Sequence, residues 1–449
     1  MKKKIILQPV RGMRDFLPND MIKRNFIFDI IKETYENYGF LPFETPAIEY
    51  LDVLTAKSGP EIVRQIYSFE DKGGRKVGLR FELTISLARV VASNPTLPKP
   101  FKRYCISRVW RYEEPQAGRY REFWQADADI IGVDSRIADV EVIAAARTAL
   151  IRLGFKNFEI RVNSRKLLDA LAVISGIEEE EAKLNFFRAI DKIEKIGENG
   201  VREELYRMGI SSGNINKILD FIKIRGPLPS MLPKIEDVLD YDIKSANEGI
   251  ADLKQMNEFG KSYGIANEMI FDMSLARGLD YYTGPVFEII SKDMRIGSIA
   301  GGGRYDTLIQ ILGGAPTPAV GIALGVERIF EIMKKTNMFP KEITNIVQVY
   351  IATSDKSLIM KAIEIAEILR NSRINVDIDL KGRQLKRNLE YANKYGIPIV
   401  IIVGKKEIEQ NSVIVRDMKK REQEEVKISN LATYITTKIK QRGFENERE

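Results

Sequence analysis

Residues 108–132 read RVWRYEEPQAGRYREFWQADADIIG, and this stretch decides how the centre of the chain folds. A turn containing proline and glycine separates two strand-like runs, which predicts a hairpin. Gln125, Asp127 and Asp129 alternate along the second run, so in an extended strand they share one face. Four arginines surround the turn: Arg108, Arg111, Arg119 and Arg121. Taken alone, the stretch fits either an anion-binding site or a hairpin with solvated charges.

The flanking segments predict an α+β fold around this hairpin. Apolar residues at helical spacing predict helices over 20–38 and 135–153, and residues 157–164 predict a strand. Residues 77–92 predict a strand entering a helix. Residues 267–291 predict further strands, followed by a glycine-rich turn, a helix over 304–312 and a strand entering a helix over 321–336. We therefore expect an antiparallel sheet flanked by helices.

Two further regions differ in character from this core. Residues 166–264 are charged and rich in Leu and Ile, which predicts a mostly helical insertion with a break at GPLPSML, 226–232. After Pro340, short apolar strands alternate with helical stretches, which predicts a small α/β domain over 341–442. Residues 1–165 and 265–335 would then form the core, and 443–449 a frayed tail. About three domains are expected for 449 residues.

The composition excludes several classes of protein. With 44% hydrophobic and 30% charged residues, the chain resembles soluble globular proteins. No apolar run is long enough to span a membrane, and the N-terminal run is too short for a signal peptide. The single cysteine, Cys105, excludes an intramolecular disulfide framework and indicates a reducing compartment. We expect a cytoplasmic protein.

Charge and histidine content narrow the chemistry further. Residues 341–449 hold 21 Lys and Arg against 16 Asp and Glu, so +5 of the net +7 lies there. That fits a polyanion partner, although solubility would explain it equally. The chain contains no histidine, which excludes a histidine base or metal ligand. Catalysis would have to rest on carboxylates, arginines, tyrosines, backbone amides or a bound cation.

Four more clusters could carry chemistry. LRFELTISLAR (79–89) would place Glu82 and Thr84 on one face of a short strand. The others are LARGLDYYTG (275–284), with Arg277, Asp280, Tyr281 and Tyr282; AGGGRYD (300–306), with Tyr305; and ALGVERI (323–329), with Glu327 and Arg328. Each has a structural alternative: a flexible glycine turn, a buried tyrosine pair or an exposed helix pair. Several arginines beside polar strands favour an anionic ligand, since buried arginines are costly without anions. The strand–GxxxxGK[ST]–helix phosphate loop is absent.

Together these stretches resemble the histidyl-tRNA synthetase family of class II aminoacyl-tRNA synthetases, over almost the whole length. Residues 20–46, 108–132 and 321–329 resemble the three motifs of class II enzymes. LARGLDYYTG and AGGGRYD resemble the two signatures of the histidine enzymes. The resemblance implies an ATP-dependent histidine–tRNA ligase that forms histidyl-adenylate and pyrophosphate, then transfers histidine to the 3′ end of its tRNA. It also implies Mg²⁺, a homodimer and a C-terminal anticodon-binding domain.

The resemblance assigns roles residue by residue. The expected catalytic arginines are Arg111, at the α-phosphate, and Arg277. The ATP-binding set comprises Arg111, Glu113, Arg119, Arg121 and Arg328. The histidine-binding set comprises Glu82, Thr84, Gln125, Asp129, Arg277, Tyr281, Tyr282 and Tyr305. Asp129 and Tyr282 are expected at the imidazole, and Glu82 and Thr84 at the α-amino group.

The alternative function is a non-catalytic paralogue that acts as a regulatory subunit of an ATP phosphoribosyltransferase. Such paralogues typically lack the C-terminal domain and lose signature residues. This chain has residues 341–442 and keeps Arg111, Arg277 and Arg328. The sequence therefore favours the ligase.

Overall fold

The structure, a computed structural model, describes residues 5–238, 243–276, 281–294, 296–340 and 345–446. The chain forms two units. One comprises the residues up to Asp15 together with Phe26–Met338, and the other comprises Phe16–Asn25 with the residues from Phe339 onward. Across the described residues, every helix is too short or too polar to span a membrane.

A nine-stranded sheet dominates the first unit. In chain order the strands of this unit are β1 Leu41–Pro42, β2 Ile48–Tyr50, β3 Ser68–Glu70, β4 Lys76–Leu79, β5 Phe101–Trp110, β6 Glu122–Ile131, β7 Phe158–Ser164, β8 Arg225–Pro227, β9 Met269–Asp272, β10 Pro285–Ser291, β11 Ser298–Arg304 and β12 Ala319–Gly325. The large sheet has the order β1-β5-β6-β12-β11-β10-β7-β9-β8, and a small sheet has the order β2-β4-β3. The β1–β5 and β7–β9 pairs are parallel, whereas the other pairs of the large sheet are antiparallel. The predicted α+β class is confirmed, although the sheet is mixed.

Helices of the first unit pack around this sheet. In chain order they are α1 Pro18–Asn37 (whose first turns fall in the second unit), α2 Leu51–Thr55, α3 Pro60–Gln65, α4 Thr84–Ser93, α5 Ile137–Arg152, α6 Arg165–Ile174, α7 Glu180–Asp191, α8 Ile193–Arg207, α9 Ser212–Ile222, α10 Leu228–Val238, α11 Lys244–Ser262, α12 Leu308–Ile311 and α13 Val326–Lys335; Ala266–Glu268 forms a 3₁₀ turn. Helix α5 buries an alanine-rich face, and α11 packs against both α5 and α6. Residues 166–264 are mostly helical as predicted. Short strand β8 lies at the start of the predicted break 226–232, but residues 228–232 belong to helix α10, so the predicted break is too long. The exact domain bounds stay a prediction.

The triple glycine lies in a strand, so the prediction of a glycine-rich turn there is wrong. Gly301, Gly302 and Gly303 belong to β11, between β10 and β12. The reason is tertiary: a Cβ on Gly302 would lie 2.1 Å from the carbonyl oxygen of Gly321 and 2.6 Å from the Phe287 ring. Glycine is required because the neighbouring strand and ring approach so closely. The following helix is also shorter than predicted, covering only Leu308–Ile311.

The second unit contains a five-stranded sheet in the order β14-β13-β15-β16-β17. Its strands are β13 Val349–Thr353, β14 Val376–Ile378, β15 Ile399–Val403, β16 Ser412–Asp417 and β17 Gln423–Lys427, with helices α14 Ile359–Asn371, α15 Leu385–Lys394, α16 Lys405–Glu409 and α17 Leu431–Asn446 and 3₁₀ turns Lys356–Leu358 and Ile428–Asn430. β13, β14 and β15 are parallel, which agrees with the predicted alternation of strands and helices. β16 and β17 add an antiparallel hairpin that the sequence pattern did not predict. Helix α17 continues to Asn446, so 443–446 are helical rather than frayed, and 447–449 lie outside the described residues.

The contact at Gly302 predicts a large loss of stability for Gly302→Ala. The added methyl group would meet backbone that cannot move aside, at a cost of about 1–3 kcal/mol in the free energy of unfolding. Gly213→Ala, in helix α9, is the matched control because nothing lies within 4 Å of the position that its methyl group would take. We expect this control to be neutral or to gain about 0.5 kcal/mol. Thermal or denaturant unfolding of both variants measures the difference, and equal stabilities would contradict the packing argument.

Candidate active site

A cavity of about 350 Å³ opens over the middle of the large sheet. The register of the central strands explains why it is there. Gln125, Asp127 and Asp129 on β6 lie opposite Gly325, Ala323 and Gly321 on β12, respectively. Gly301 of β11 pairs in turn with Ala323. Paired residues share a face of the sheet, so polar side chains on one strand stand beside residues with little or no side chain.

Asp129 is not among the residues that line this cavity, although Tyr305 and Gly321, which lie beside it, are. Its Oδ2 is 2.8 Å from a guanidinium nitrogen of Arg103, which is directly opposite on β5. The Tyr305 hydroxyl donates a hydrogen bond of 2.5 Å to Asp129 Oδ1, and Tyr305 itself lines the cavity. Burial raises the pKa of the Asp129 carboxyl, although Arg103 and the Tyr305 hydroxyl oppose that rise. Asp129 therefore reaches the cavity through Tyr305.

Gln125 and Asp127 face the cavity directly. Gln125 Nε2 lies 3.4 Å from Asp127 Oδ1, the only hydrogen bond that the described residues supply to this carboxylate. Gln125 Oε1 is buried and accepts no hydrogen bond from the described part of the protein. Burial raises the pKa of Asp127 well above its ordinary value, and the neighbouring Asp129 carboxylate raises it further. Polar atoms with spare bonding capacity on a cavity wall are suited to a ligand.

The prediction that Glu82 and Thr84 share a face of a strand is wrong. β4 ends at Leu79, and Thr84 is the first residue of helix α4. The Glu82 carboxylate accepts the backbone N–H groups of Thr84, at 2.8 Å, and Ile85, at 2.5 Å. It thereby satisfies donors that an α-helix leaves unpaired at its start. The structure still brings both residues to the cavity wall.

Three tyrosines close one side of the cavity. The ring centroid of Tyr281 lies 5.0 Å from that of Tyr282 and 5.9 Å from that of Tyr305, and both pairs meet edge to face. The Tyr281 hydroxyl donates to Glu82 Oε2 at 3.2 Å. Burial raises the pKa of Glu82, and the two backbone hydrogen bonds of helix α4 oppose this rise. The aromatic wall would fit a flat ring.

Cationic side chains line another part of the same cavity. Arg111 follows β5 and donates through Nε to the Phe81 carbonyl at 2.9 Å. Arg119, from the loop between β5 and β6, lies 3.7 Å from the Glu113 carboxylate. Arg328, in the first turn of α13, donates to the Ser298 carbonyl at 2.6 Å. These three arginines and Glu113 all line the cavity, as an anion-binding wall would require.

The structure does not bring Arg121 to the cavity lining. Its Nε donates to the Glu113 carbonyl at 2.9 Å, and its guanidinium stacks 3.8 Å from the centroid of the Tyr112 ring. Gly12 also packs against its side chain. In this arrangement Arg121 supports the loop that carries Glu113 and Arg119. Arg277, the second predicted catalytic arginine, and Asp280 lie outside the described residues.

The set of predicted site residues omitted several that line the cavity. Asp127 was placed on the correct face of β6, and the alternation with Gln125 could have selected it. Glu327 was named only as one of a pair at a helix start; it is buried and accepts the Trp124 backbone N–H at 2.7 Å. Asp191, at the end of α7 in the helical insertion, also reaches the lining, and no local sequence signal marks it.

Comparison with known proteins identifies the family. A model of histidyl-tRNA synthetases matches residues 12–329, and a model of the anticodon binding domain matches residues 348–438. A histidine–tRNA ligase of Pyrococcus furiosus is 40% identical over 97% of this chain and 100% of its own length. One of Clostridium tetani is 36% identical over 97% of this chain and 99% of its own length.

A comparison with solved structures agrees with this family assignment. The crystal structure of histidyl-tRNA synthetase from Nostoc sp. PCC 7120 has a TM-score of 0.83 and 31% identity, covering 97% of this chain and 100% of that one. A Bacillus halodurans protein described as an ATP phosphoribosyltransferase regulatory subunit/histidyl-tRNA synthetase has a TM-score of 0.74 over 90% of this chain and 99% of its own, but at 24% identity it shows the fold alone. The curated relatives named above are histidine–tRNA ligases, so they do not favour the regulatory alternative. With a cavity that has both an arginine wall and a carboxylate wall, and with family matches over most of its length, the chain belongs to the histidyl-tRNA synthetase family.

Proposed function

We propose that this protein is a histidine–tRNA ligase that activates histidine with ATP and transfers it to the 3′ end of its tRNA. The observation that carries the proposal is the cavity with two chemically different walls. Arg111, Arg119 and Arg328 line one part, and Glu82 with Asp127 lines another. ATP and an amino acid together present the opposite charges, a polyphosphate and an ammonium group. Both substrates must lie in one cavity for the first step to occur.

Activation requires two anions to meet. A carboxylate oxygen of histidine attacks the α-phosphorus of ATP, and the bond to the leaving pyrophosphate breaks. Negative charge builds up on the phosphoryl oxygens, so fixed cations nearby lower the barrier. Arg111 is held by the Phe81 carbonyl at the cavity wall, which suits this role. We assign Arg119 and Arg328 to the departing phosphates, and Arg277 keeps its proposed catalytic role.

Histidine would be held by the carboxylate and tyrosine side of the cavity. Glu82 and Thr84 stand at the start of α4, where a carboxylate already bonded to Tyr281 can accept an ammonium group. Gln125 offers its unpaired Oε1 to the amino acid backbone. Tyr282 and Tyr305 provide aromatic surface and hydroxyl groups for the imidazole ring. A pocket that needs each of these polar bonds rejects amino acids that cannot make them.

The arrangement also fits Mg²⁺, bound mainly by ATP. Within the described residues, no group of three or more acidic or cysteine side chains could hold a metal by itself. Mg²⁺ in nucleotide sites usually takes one or two carboxylates together with phosphate oxygens. Glu113 and Glu327 are the carboxylates beside the arginine wall and could supply these ligands. The ion would neutralise phosphate charge and assist the departure of pyrophosphate.

The second unit would bind the tRNA anticodon, in keeping with the family model that it matches. Residues 341–449 carry +5 of the net charge, which suits a nucleic-acid partner. We retain 1–165 with 265–335 as the catalytic core, 166–264 as the insertion and 341–442 as the anticodon domain. We place the reaction in the cytoplasm, where ATP and tRNA are available and the buried thiol of Cys105 stays reduced.

A homodimer is part of the proposal. Large apolar side chains are exposed on the small sheet of the first unit: Ile48 and Tyr50 on β2 and Phe69 on β3, with Tyr50 and Phe69 both opposite Val77 and so on one face. A concentration of such side chains on one surface is typical of a protein interface. A second copy of the chain would cover them.

Histidine-dependent exchange between ATP and labelled pyrophosphate tests the activity itself. We expect exchange with histidine well above that with the other nineteen amino acids, because only histidine satisfies the polar groups of the pocket. Charging of tRNA by the same preparation tests the second step. Exchange at background level, or equal exchange with several amino acids, would contradict the proposal.

Arg111→Gln should lower the exchange rate about 10²–10³-fold, since it removes a fixed cation from the reacting phosphate. Arg108→Gln is the matched control: Arg108 lies three residues earlier, on β5, but pairs with Glu122 at 3.6 Å and lies outside the cavity lining. We expect this control to keep nearly the full rate. If both variants lose activity equally, the loss comes from the fold of the hairpin rather than from the site.

Light scattering tests the homodimer. We expect a mass about twice 51.2 kDa for the wild-type protein. Ile48→Glu would place a charge among the exposed apolar side chains and should shift the mass toward that of one chain. Ile363→Glu, at an exposed position of α14 in the second unit, is the control and should stay dimeric. A wild-type protein of single-chain mass would contradict the proposal.

A further inference from the structure

The loop between β5 and β6 carries Arg119 to the cavity, and side chains attach this loop to the rest of the fold. β5 ends at Trp110 and β6 begins at Glu122. Between them the chain reverses in a tight turn, where Gln116 and Arg119 exchange backbone hydrogen bonds of 3.1 and 2.8 Å. A loop beyond the end of a sheet lacks the ladder of hydrogen bonds that fixes a strand. The position of Arg119 therefore depends on what the loop contacts.

A turn at Gly12 brings the N-terminal segment against the base of this loop. The Gly12 carbonyl accepts the backbone N–H of Arg121 at 2.8 Å. A Cβ on Gly12 would lie 2.8 Å from Arg121 Cγ and 2.9 Å from Pro115 Cγ, and the φ of Gly12 is +84°. Glycine is suited to both the left-handed backbone and the close approach. The segment is thereby fixed beside the loop.

Arg14, two residues further on, joins the loop to helix α13. Its guanidinium donates a hydrogen bond of 3.0 Å to the Tyr120 hydroxyl and forms an ion pair of 2.7 Å with Glu331. The Tyr120 hydroxyl donates to the same Glu331 oxygen at 3.1 Å. The guanidinium carbon of Arg14 also lies 4.1 Å from the centroid of the Tyr120 ring. The side chains of Arg14 and Glu331 are 28% and 17% exposed, so water screens their attraction only in part.

Both of these contacts lead to the arginine wall of the cavity. Tyr120 directly follows Arg119, and both line the cavity. Glu331 and Arg328 lie on α13 three residues apart, so they are neighbours on the helix surface. Arg328 itself donates through Nε to the Gly118 carbonyl at 3.3 Å. The loop is therefore attached to α13 at Gly118 and at Tyr120, on either side of Arg119.

We propose that Arg14 is a positioning residue for ATP: together with Glu331 it holds Tyr120, and thereby Arg119, at the phosphate-binding wall. Arg14 acts through these groups, since it is not among the residues that line the cavity. Arg119 binds a phosphate more strongly when its loop is fixed before ATP arrives, because less conformational entropy is lost on binding. This inference rests on the proposed function, since it takes the cavity to be the ATP site.

Exchange kinetics test this role, because they measure the KM for each substrate separately. Arg14→Met keeps an apolar stem but removes the ion pair and the hydrogen bond. We expect a KM for ATP about tenfold higher and a KM for histidine within about twofold of wild type. Arg11→Met is the matched control: Arg11 lies in the same segment, but the side chains of Arg11 and its partner Glu114 are 74% and 81% exposed. Such a pair contributes little, so both KM values should stay unchanged.

Glu331 and a conservative change at Arg14 provide further variants. Glu331→Gln removes the charge that holds Arg14 and should also raise the KM for ATP. The double variant Arg14→Met/Glu331→Gln should have a KM for ATP no higher than that of Arg14→Met, because the two residues act as one unit. Arg14→Lys keeps a cation but loses the planar guanidinium over the Tyr120 ring, so its KM for ATP should lie between those of wild type and Arg14→Met.

Hydrogen–deuterium exchange measures the loop directly. Peptides that cover 112–121 should exchange faster in Arg14→Met than in Arg11→Met, because the loop has lost its attachment at Tyr120. Peptides from β10 should exchange equally in the two variants. A general loss of stability would instead accelerate exchange in both regions.

A KM for ATP that rises less than about threefold in Arg14→Met would overturn the positioning role, as would a KM for histidine that rises by the same factor. Equal exchange of the loop in Arg14→Met and Arg11→Met would also overturn it. Should Arg14→Met fail to fold, Glu331→Gln and Arg14→Lys decide, and an unchanged KM for ATP in both overturns the role. Wild-type protein without histidine-dependent exchange would instead refute the proposed function, so the two failures are distinguishable.

Discussion

Three carboxylates buried against one region of a sheet are the constraint on which the rest of this structure depends. Glu82, Asp127 and Asp129 are each almost inaccessible to solvent. Removing such groups from water costs several kcal/mol each unless bonds or cations replace the water. The fold compensates each carboxylate differently. Backbone N–H groups in the first turn of α4 donate hydrogen bonds to Glu82, and Arg103 forms an ion pair with Asp129. Asp127 has the least compensation, a single 3.4 Å hydrogen bond from Gln125 among the described residues, and like Glu82 it lines the cavity.

Glycine makes this arrangement possible. The residues beside these carboxylates on the neighbouring strand must have small side chains. Larger side chains would occupy the space of the Asp129 carboxylate and of a substrate above the sheet. Gly321 admits the Asp129 carboxylate, and Gly302 allows β11, β12 and Phe287 to approach closely. Glycines weaken a strand, because they cost backbone entropy and pack nothing. Their presence at the centre of a nine-stranded sheet is therefore explained by the cavity and the close approach of strands rather than by strand stability.

Features encoded by neighbouring residues could be predicted from the sequence. The hairpin over 101–131 follows from a turn between two alternating runs, and α13 follows from apolar residues at helical spacing. Features that depend on distant residues could not. Whether 301–303 bend or extend is decided by Gly321 and Phe287, and whether Arg121 faces a ligand is decided by Gly12 and Tyr112. Glu82 shows an intermediate case, since its place at the cavity was expected although its local conformation was not.

The lack of histidine in this chain is compatible with the chemistry that the cavity supports. Activation begins from a carboxylate that is already ionised at neutral pH, so no side chain has to remove a proton before the attack. What the step demands is a fixed positive field around the phosphates, and arginine supplies it without titrating in the physiological range. Glu82 and Asp127, whose pKa values are raised by burial, line the part of the cavity that we propose for the cationic amino acid. A site that places permanently charged arginines in one part and titratable carboxylates in another can act on histidine as a substrate although the protein itself contains no histidine.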